Sequence, residues 1–235
     1  MDFRLPFDLS HLPFIFLAII VAFTIHEFAH AYSAYRFGDP TAYKLGRVTL
    51  NPVAHVSLLG LLFIMLLGFG WARPVPVNRS NFRNPRLMSI IVSAVGPLSN
   101  LILAVVAAAA AYAVFGLGWV DGASTGAVKA VGLTFWYMVH INVLLFLFNL
   151  IPLPPLDGYR IVEDLAPTPL RITMMKYESW GVYLFLLIVF INPIYNVTIG
   201  PILSQIHDIR EGLFALMSGV FDVNINWRYM HFGNE

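Results

Sequence analysis

Two histidines four residues apart, His26 and His30, lie inside an apolar stretch that runs from Leu12 to about Ala34. On an α-helix this spacing puts both imidazoles on one face, one turn apart, where they can bind the same metal ion. Glu27 follows the first histidine and is placed to contact a metal-bound water instead of the metal. Polar side chains at membrane depth are costly, so they indicate a functional site. The pattern predicts zinc-assisted hydrolysis inside a bilayer.

The composition independently indicates a membrane protein. Mean hydropathy is +0.74, hydrophobic residues make up 58% of the 235, and charged residues make up 11%, against about a quarter in ordinary soluble domains. The net charge of +1 gives no indication of nucleic acid or acidic substrates. Because cysteine is absent, thiolate ligands are excluded, and any metal must be held by nitrogen and oxygen. We expect one membrane domain over residues 1–235.

The fold class we predict is an all-α polytopic membrane protein with about four spanning helices and six as the upper bound. Crossing a bilayer takes about 20 apolar residues. Val56–Trp71 has only about 16 residues, with three glycines, and we expect it to be re-entrant. The polar residues before the first stretch indicate a retained helix and not a signal peptide. The spanning stretches are residues 12–36, 87–115, 131–151 and 179–200.

Beyond the catalytic core, which we place at about residues 12–165, the chain predicts C-terminal helices over about 179–221. The part after Gly200 is amphipathic and predicts a helix at the membrane interface. Asn192 and Pro193 predict a kink in the preceding spanning helix. A bent helix outside the core would suit a lateral gate for substrates, and the alternative is that Pro193 only ends the helix.

Basic residues orient the predicted helices, since Lys and Arg accumulate on the cytoplasmic side. With Val56–Trp71 not crossing, ten basic residues fall on one side of the membrane and four on the other. This places the N-terminus outside and the active site toward the cytoplasm, in the inner membrane if the source is bacterial. In the long loop, Tyr43–Leu50 and Pro74–Val77 are β-prone and predict short strands, whose edge could bind an extended substrate.

A catalytic zinc site needs a third protein ligand and an open position for water. The soluble HExxHxxGxxH pattern fails here, because Ser33 and Arg36 stand at the positions of its glycine and third histidine. A glutamate some twenty residues further on is also missing, since Asp39 is the only acid between His30 and Ala110. The third ligand must therefore come from a distant segment.

Asp157 is the strongest candidate for that ligand. It follows an apolar helix that three prolines bring to an end, and Gly158 permits a sharp turn. Irregular backbone at membrane depth is tolerated where it is buried in protein or lines a wet cavity. Helices 12–36 and 131–151 are parallel if one span separates them, and His30 and Asp157 then lie at the same depth.

Three motifs, in this order along the chain, resemble those of the site-2 proteases, a family of intramembrane zinc metalloproteases. The similarity covers about residues 12–165. The motifs are HEFAH at 26–30, GPLSN at 96–100 and NLIPLPPLDG at 149–158. The chain resembles a compact form of the family, with no room for a PDZ module in residues 116–130 and without a C-terminal nucleotide-sensing CBS domain.

This resemblance implies roles for individual residues. His26, His30 and Asp157 would bind one Zn²⁺ per chain, Glu27 would be the general base, and Asn149 would lie near the scissile carbonyl. The substrates implied are single-span transmembrane proteins, such as anti-sigma factors or signal-peptide remnants. For Asn149 the residues leave an alternative, because its amide could instead satisfy backbone groups that the prolines set free.

Other polar residues of the apolar segments have simpler interpretations. We interpret His140 and Asn142 as structural, whereas His55, beside the re-entrant candidate, could contact substrate. Small residues between Ser89 and Ala111 recur at spacings of three and four, which predicts close helix packing. We expect this helix to lie between the two ligand-bearing helices, with Asn100 facing the site.

Two other classes of function compete with the protease. A membrane oxidase with two metal ions needs several histidine boxes, but the chain has seven histidines, of which only His26 and His30 form a pair. A transporter or non-catalytic binding protein on a protease scaffold would lack the base or a ligand, and here Glu27 and all candidate ligands are present.

Overall fold

The computed structural model describes residues 8–67 and 70–227. Within these ranges all regular structure is helical, with ten α-helices and two 3-10 turns. The α-helices are α1 (Leu12–Arg36), α2 (Thr41–Lys44), α3 (Pro52–His55), α4 (Leu58–Leu67), α5 (Pro85–Gly116), α6 (Thr125–Asn149), α7 (Asp157–Leu165), α8 (Thr168–Phe190), α9 (Asn192–Val197) and α10 (Ile199–Phe221).

Four of these helices are long and apolar enough to cross a membrane, namely α1 with the turn before it, α5, α6 and α8. The chain is therefore a multi-pass membrane protein, as its composition predicted. The fourth span begins at Thr168 and ends at Phe190, earlier than the predicted residues 179–200. Its first turns contain Arg171, Lys176 and Glu178. Because the span was predicted from apolar residues alone, this charged start of the helix was not included.

The predicted strands are wrong for the described part of the chain. Tyr43 lies in α2, and residues 71–78 have no regular secondary structure. The N–H of Arg73 donates to the carbonyl of His55, and its own carbonyl accepts from the Arg47 guanidinium. Prolines 74 and 76 have no N–H to donate, so one edge of this segment cannot form a strand ladder, and the N–H of Val75 on the other edge donates to Glu27.

The segment Val56–Trp71 contains α4, which has 10 residues and is too short to span a bilayer. Its flanks lie together, because a Cβ at Gly60 would lie 2.0 Å from the carbonyl oxygen of Trp71. Residues 68 and 69 lie outside the described ranges, as do Arg4 and Arg228, which enter the charge argument. The re-entrant course of this segment in a membrane stays a prediction.

The core of the molecule is a bundle of α1, α5 and α6, each of which contacts the other two. The predicted stripe of small residues on α5, from Ser89 to Ala111, is buried. Its alanines let the neighbouring helices approach closely. The helix does not simply lie between the ligand-bearing helices, because α1 and α6 also contact each other directly.

The C-terminal helices pack around this bundle. α10 buries Ile206, Phe214 and Met217 in a cluster with side chains of α5 and α6, and its position at a membrane interface stays a prediction. The predicted kink within the fourth span is wrong. α8 ends at Phe190, and Pro193 lies in the first turn of α9, where its missing N–H needs no helical partner.

We expect cysteines introduced at Arg83 and Ala123 to be accessible from opposite sides of the membrane, because α5 crosses it between them. Both positions are exposed, and the chain has no cysteine of its own. Labelling with a membrane-impermeant thiol reagent, in intact and in inverted vesicles, measures this. The charge distribution predicts that Arg83→Cys reacts on the cytoplasmic side. Reaction of both cysteines from the same side would overturn the four-span topology.

Candidate active site

The three predicted metal ligands meet at one end of the helix bundle. The Nε2 atoms of His26 and His30 lie 3.0 Å apart. Oδ2 of Asp157 lies 3.2 Å from the first and 3.3 Å from the second. In the part of the chain that the structure describes, this is the single group of three ligand side chains close enough to share a metal ion. The two histidines belong to α1, and Asp157 follows shortly after α6, which contacts α1 directly.

Hydrogen bonds on the far side of each imidazole fix the ligand nitrogens. Nδ1 of His26 lies 2.7 Å from Oδ1 of Asn100, and Nδ1 of His30 lies 2.7 Å from the carbonyl oxygen of Val92. Because both oxygens are acceptors, each neutral ring carries its proton on Nδ1. The Nε2 atoms therefore face each other and Asp157 with their lone pairs.

Such an arrangement fits a cation. Three electron-rich atoms at this separation repel one another unless a positive charge lies between them. Oδ2 of Asp157 is buried without a hydrogen-bond partner, which is costly for a carboxylate oxygen. Two imidazole nitrogens and one carboxylate oxygen, with a fourth position left for water, form a ligand set of catalytic zinc sites.

Gly96 on α5 makes room for both rings. A Cβ at this position would lie 2.2 Å from Nε2 of His30 and 2.9 Å from Cε1 of His26, closer than any real contact. One turn to either side, Val92 and Asn100 accept the hydrogen bonds of the two histidines. One face of α5 thus positions the whole histidine pair, which accounts for Gly96 and Asn100 of the GPLSN motif.

Asp157 is positioned by the turn between α6 and α7. It occupies the first turn of α7, a helix that packs against α5. A Cβ at Gly158 would lie 2.2 Å from the carbonyl oxygen of Leu150, so a glycine is needed where the turn folds back on the end of α6. At the other end of α7, Glu163 and Asp164 pair with Arg79.

Glu27 lies beside the ligands and is 7% exposed. Its Oε2 accepts a hydrogen bond of 2.9 Å from the backbone N–H of Val75. Oε1 has no hydrogen-bond partner among the described residues. Val75 belongs to the irregular segment 71–78, which lies across the site and contributes Trp71, Ala72, Pro74, Val75 and Val77 to its wall.

This segment is fixed at both ends by buried groups. Nη2 of Arg47 donates to the carbonyl of Arg73 at 2.6 Å, and Oδ2 of Asp39 accepts from the N–H of Asn78 at 2.7 Å. Burial alone would raise the pKa of Asp39, but hydrogen bonds, the largest from Thr41, outweigh it and hold the pKa below its usual value. The carboxylate is therefore ionised and a strong acceptor.

A cleft of about 570 Å³ opens onto the ligands. Apolar side chains form much of its remaining wall: Phe23, Leu145, Phe148 and Phe185. Asn149 also lines the cleft, while its Nδ2 donates to the carbonyl of Leu145 at 3.0 Å. The carbonyl of Leu145 lies one turn before Asn149 in its own helix and is not one that the prolines set free, so the alternative role of the amide stays a prediction. Its second N–H has no partner among the described residues.

The structure also places the other polar residues that the sequence analysis singled out. The substrate contact proposed for His55 is wrong: its side chain is fully buried outside the cleft, and Nε2 lies 2.7 Å from the carbonyl of Thr49. Asn142, interpreted as structural, is a fully buried amide whose Oδ1 accepts a 2.9 Å hydrogen bond from Asn100 on the neighbouring helix. A signal for this existed, since Asn142 precedes Asn149 by two helical turns and so shares its face. His140 packs on Trp136, away from the ligands.

The chain matches a known protein family over α6 to α8, where the sequence model of Peptidase family M50 covers residues 117–191. It is also 44% identical to "Putative zinc metalloprotease YwhC" of Bacillus subtilis (strain 168). That match spans 223 residues, 94% of this chain and 98% of the relative. The chain belongs to peptidase family M50, the site-2 proteases.

Two more distant relatives match most of the chain. "Putative zinc metalloprotease Rip2" of Mycolicibacterium smegmatis is 31% identical over 182 residues, 75% of this chain and 66% of that protein. The protein of the same name in Mycobacterium tuberculosis (strain H37Rv) gives the same identity and coverage. No solved structure matches the chain. The family and its relatives imply Zn²⁺ as the cofactor, and the ligand set on this bundle fits that ion.

We expect Gly96→Ala to lower zinc affinity by about tenfold or more, because the added methyl group displaces two ligand rings. Zinc content and competition with a chromophoric chelator measure the effect on purified protein. Gly212→Ala is the matched control, since a Cβ there meets nothing within 4 Å. Wild-type zinc affinity in Gly96→Ala would contradict the packing role of this glycine.

Proposed function

We propose that this chain is an intramembrane zinc metalloprotease that hydrolyses peptide bonds within or near the transmembrane segments of other membrane proteins. The observation that carries the proposal is the placement of the ligand set. Two histidines of one spanning helix and an aspartate just beyond another face one another, with a glutamate beside them. Membership in peptidase family M50 supports peptide hydrolysis as the reaction.

The proposed ligands are His26, His30 and Asp157, and the proposed general base is Glu27. Zinc in such a site supplies Lewis acidity toward a water molecule and the scissile carbonyl. Glu27 takes a proton from the attacking water at Oε1 and delivers it to the amine that leaves when the C–N bond breaks. The N–H of Val75 holds Oε2 meanwhile, so the carboxylate keeps its orientation through both transfers.

Asn149 is the proposed oxyanion group. An amide nitrogen carries two hydrogens, and only one of them is bonded, to the carbonyl of Leu145. The other can donate to the oxygen of the scissile carbonyl as negative charge develops there. The existing hydrogen bond limits the rotation of the amide, so the contact with its own helix and the catalytic role are compatible.

The proposed substrates are single-span transmembrane proteins, with anti-sigma factors and signal-peptide remnants as examples. A helical substrate must unwind at the cleavage site, because helical hydrogen bonds shield its carbonyl groups. The apolar wall of the cleft suits the side chains of such a segment. Carbonyls of the segment 71–78 can accept hydrogen bonds from an unwound substrate, but Pro74 and Pro76 cannot donate any. We place the site toward the cytoplasm, on the distribution of basic residues.

Substrate access is proposed along α8. Only 11% of its most apolar window is buried inside the protein, against 39% for each of the other three spanning helices. This helix contributes Phe185 to the cleft and is otherwise largely outside the bundle. A helix with few contacts can move aside at low cost, so it is the natural side for entry from lipid.

We expect Glu27→Gln to retain zinc and to lose proteolysis by at least about 100-fold, because an amide cannot accept the proton. Cleavage of a model single-span substrate in liposomes and metal analysis of the same sample measure the two properties together. Removal of zinc from the wild type by a chelator, and its return, serve as the control. Full activity in Glu27→Gln would mean that another group is the base. Zinc-loaded wild type that cleaves no substrate of a panel would favour a non-catalytic binding protein.

Val75→Pro removes the N–H that holds Glu27. A hydrogen bond to a charged group contributes about 1.5–3 kcal/mol, so we expect kcat to fall by about tenfold or more while zinc content stays at the wild-type level. Val77→Pro is the control, since no hydrogen bond of its N–H occurs among the described residues. Equal loss of activity in both variants would show that only the course of the segment matters.

A further inference from the structure

We infer that Asn142 on α6 is a positioning residue that sets the proton of His26 on Nδ1, acting through Asn100 on α5. Asn142 touches neither the ligand atoms nor the cleft. The inference deepens the proposed function and rests on one part of it, the role of His26 as a zinc ligand.

A chain of hydrogen bonds joins the three residues. Oδ1 of Asn100 lies 2.7 Å from Nδ1 of His26. Nδ2 of Asn100 donates to the carbonyl of Ala22 at 3.2 Å and to Oδ1 of Asn142 at 2.9 Å. Nδ2 of Asn142 donates to the carbonyl of Met138 at 2.8 Å. Both amides are fully buried, so water cannot replace any of these partners.

The donors and acceptors of these hydrogen bonds have a fixed order, because each of the two amides also contacts a backbone carbonyl. The carbonyls of Ala22 and Met138 can only accept, so each must face an NH₂ group. This turns Oδ1 of Asn142 toward Asn100 and Oδ1 of Asn100 toward His26. His26 must then donate from Nδ1, which leaves the lone pair of Nε2 free for the metal.

A reversed Asn100 amide would abolish this ligand. It would point an N–H at Nδ1, the ring proton would move to Nε2, and the metal would face a hydrogen. Asn142 opposes the reversal through the shorter of the two hydrogen bonds that Nδ2 of Asn100 makes. A reversed amide would also put two oxygens in contact, in a buried place where unsatisfied groups are costly.

The two histidines differ in the kind of acceptor that their Nδ1 atoms contact. His30 donates from Nδ1 to the backbone carbonyl of Val92, which cannot reverse its polarity. His26 depends on a side-chain amide, whose two ends are nearly equal in shape. The orientation of the Asn100 amide is therefore held for His26 by the Ala22 carbonyl and by a second amide on a third helix, whereas His30 needs no such support.

The test compares zinc affinity in three variants of the full-length protein. Asn142→Leu removes the acceptor, and we expect a fall of about 10–100-fold. Asn142→Asp should recover most of the affinity, since a neutral carboxyl group accepts from Asn100 and donates to Met138 as the amide does. Thr134→Val, on the same helix, loses only a hydrogen bond to the carbonyl of Ala130 and should bind zinc as the wild type does. The spectrum of bound Co²⁺ should change in Asn142→Leu alone.

The proton itself can be observed in wild-type protein, which keeps the inference testable if a variant does not fold. In the zinc-free form, ¹⁵N NMR of labelled histidine should show the proton of His26 on Nδ1. A proton on Nε2, or wild-type zinc affinity in Asn142→Leu, would overturn the inference. The variant His26→Gln distinguishes a failure of the proposed ligand set from a failure of the role proposed for Asn142. If it binds zinc normally, the proposed ligand set fails; if it loses zinc while Asn142→Leu keeps it, only the role of Asn142 fails.

Discussion

Mutual repulsion of three electron-rich atoms is the constraint on which the rest of this structure depends. Two imidazole nitrogens and a carboxylate oxygen lie within 4.8 Å of one another inside a membrane bundle, where little solvent screens them. Bringing them to one point requires rigid support from several directions. The glycine of α5, the carbonyl of Val92, the buried amides and the turn before Asp157 each supply part of that support.

Much of this arrangement could be predicted from the sequence, because the relevant signals are local. HEFAH on an apolar helix and an aspartate after a run of prolines are short patterns whose spacing has direct geometric meaning. One intervening span was enough to place His30 and Asp157 at the same depth, and the structure brings them to 3.3 Å. The long apolar helices were recognisable for the same reason, since their length follows from the thickness of a bilayer.

The features that could not be predicted depend on partners far apart in the chain. The β-prone residues 74–77 form no strand, because Val75 is bonded to Glu27 and the neighbouring Arg73 to His55 and Arg47. The start of α8 lies in a charged stretch whose hydropathy carries no signal of a spanning helix. Asn142 looked like an isolated polar residue because its partner lies on another helix, 42 positions earlier. For Asn100 and Asn142, the structural role follows from their mutual hydrogen bond and not from the residue type alone.

The hydrogen bond between Val75 and Glu27 couples the wall of the cleft to the orientation of the proposed base. The segment 71–78 is at once a wall of the cleft and the support of the proposed base. In the proposed mechanism, a substrate that displaces this wall would also release the carboxylate, whereas one that fits beneath it would leave the carboxylate held. The same stretch of backbone would then control both the entry of the substrate and the orientation of the proposed base. Selectivity for unwound segments can then arise without any pocket for a particular side chain.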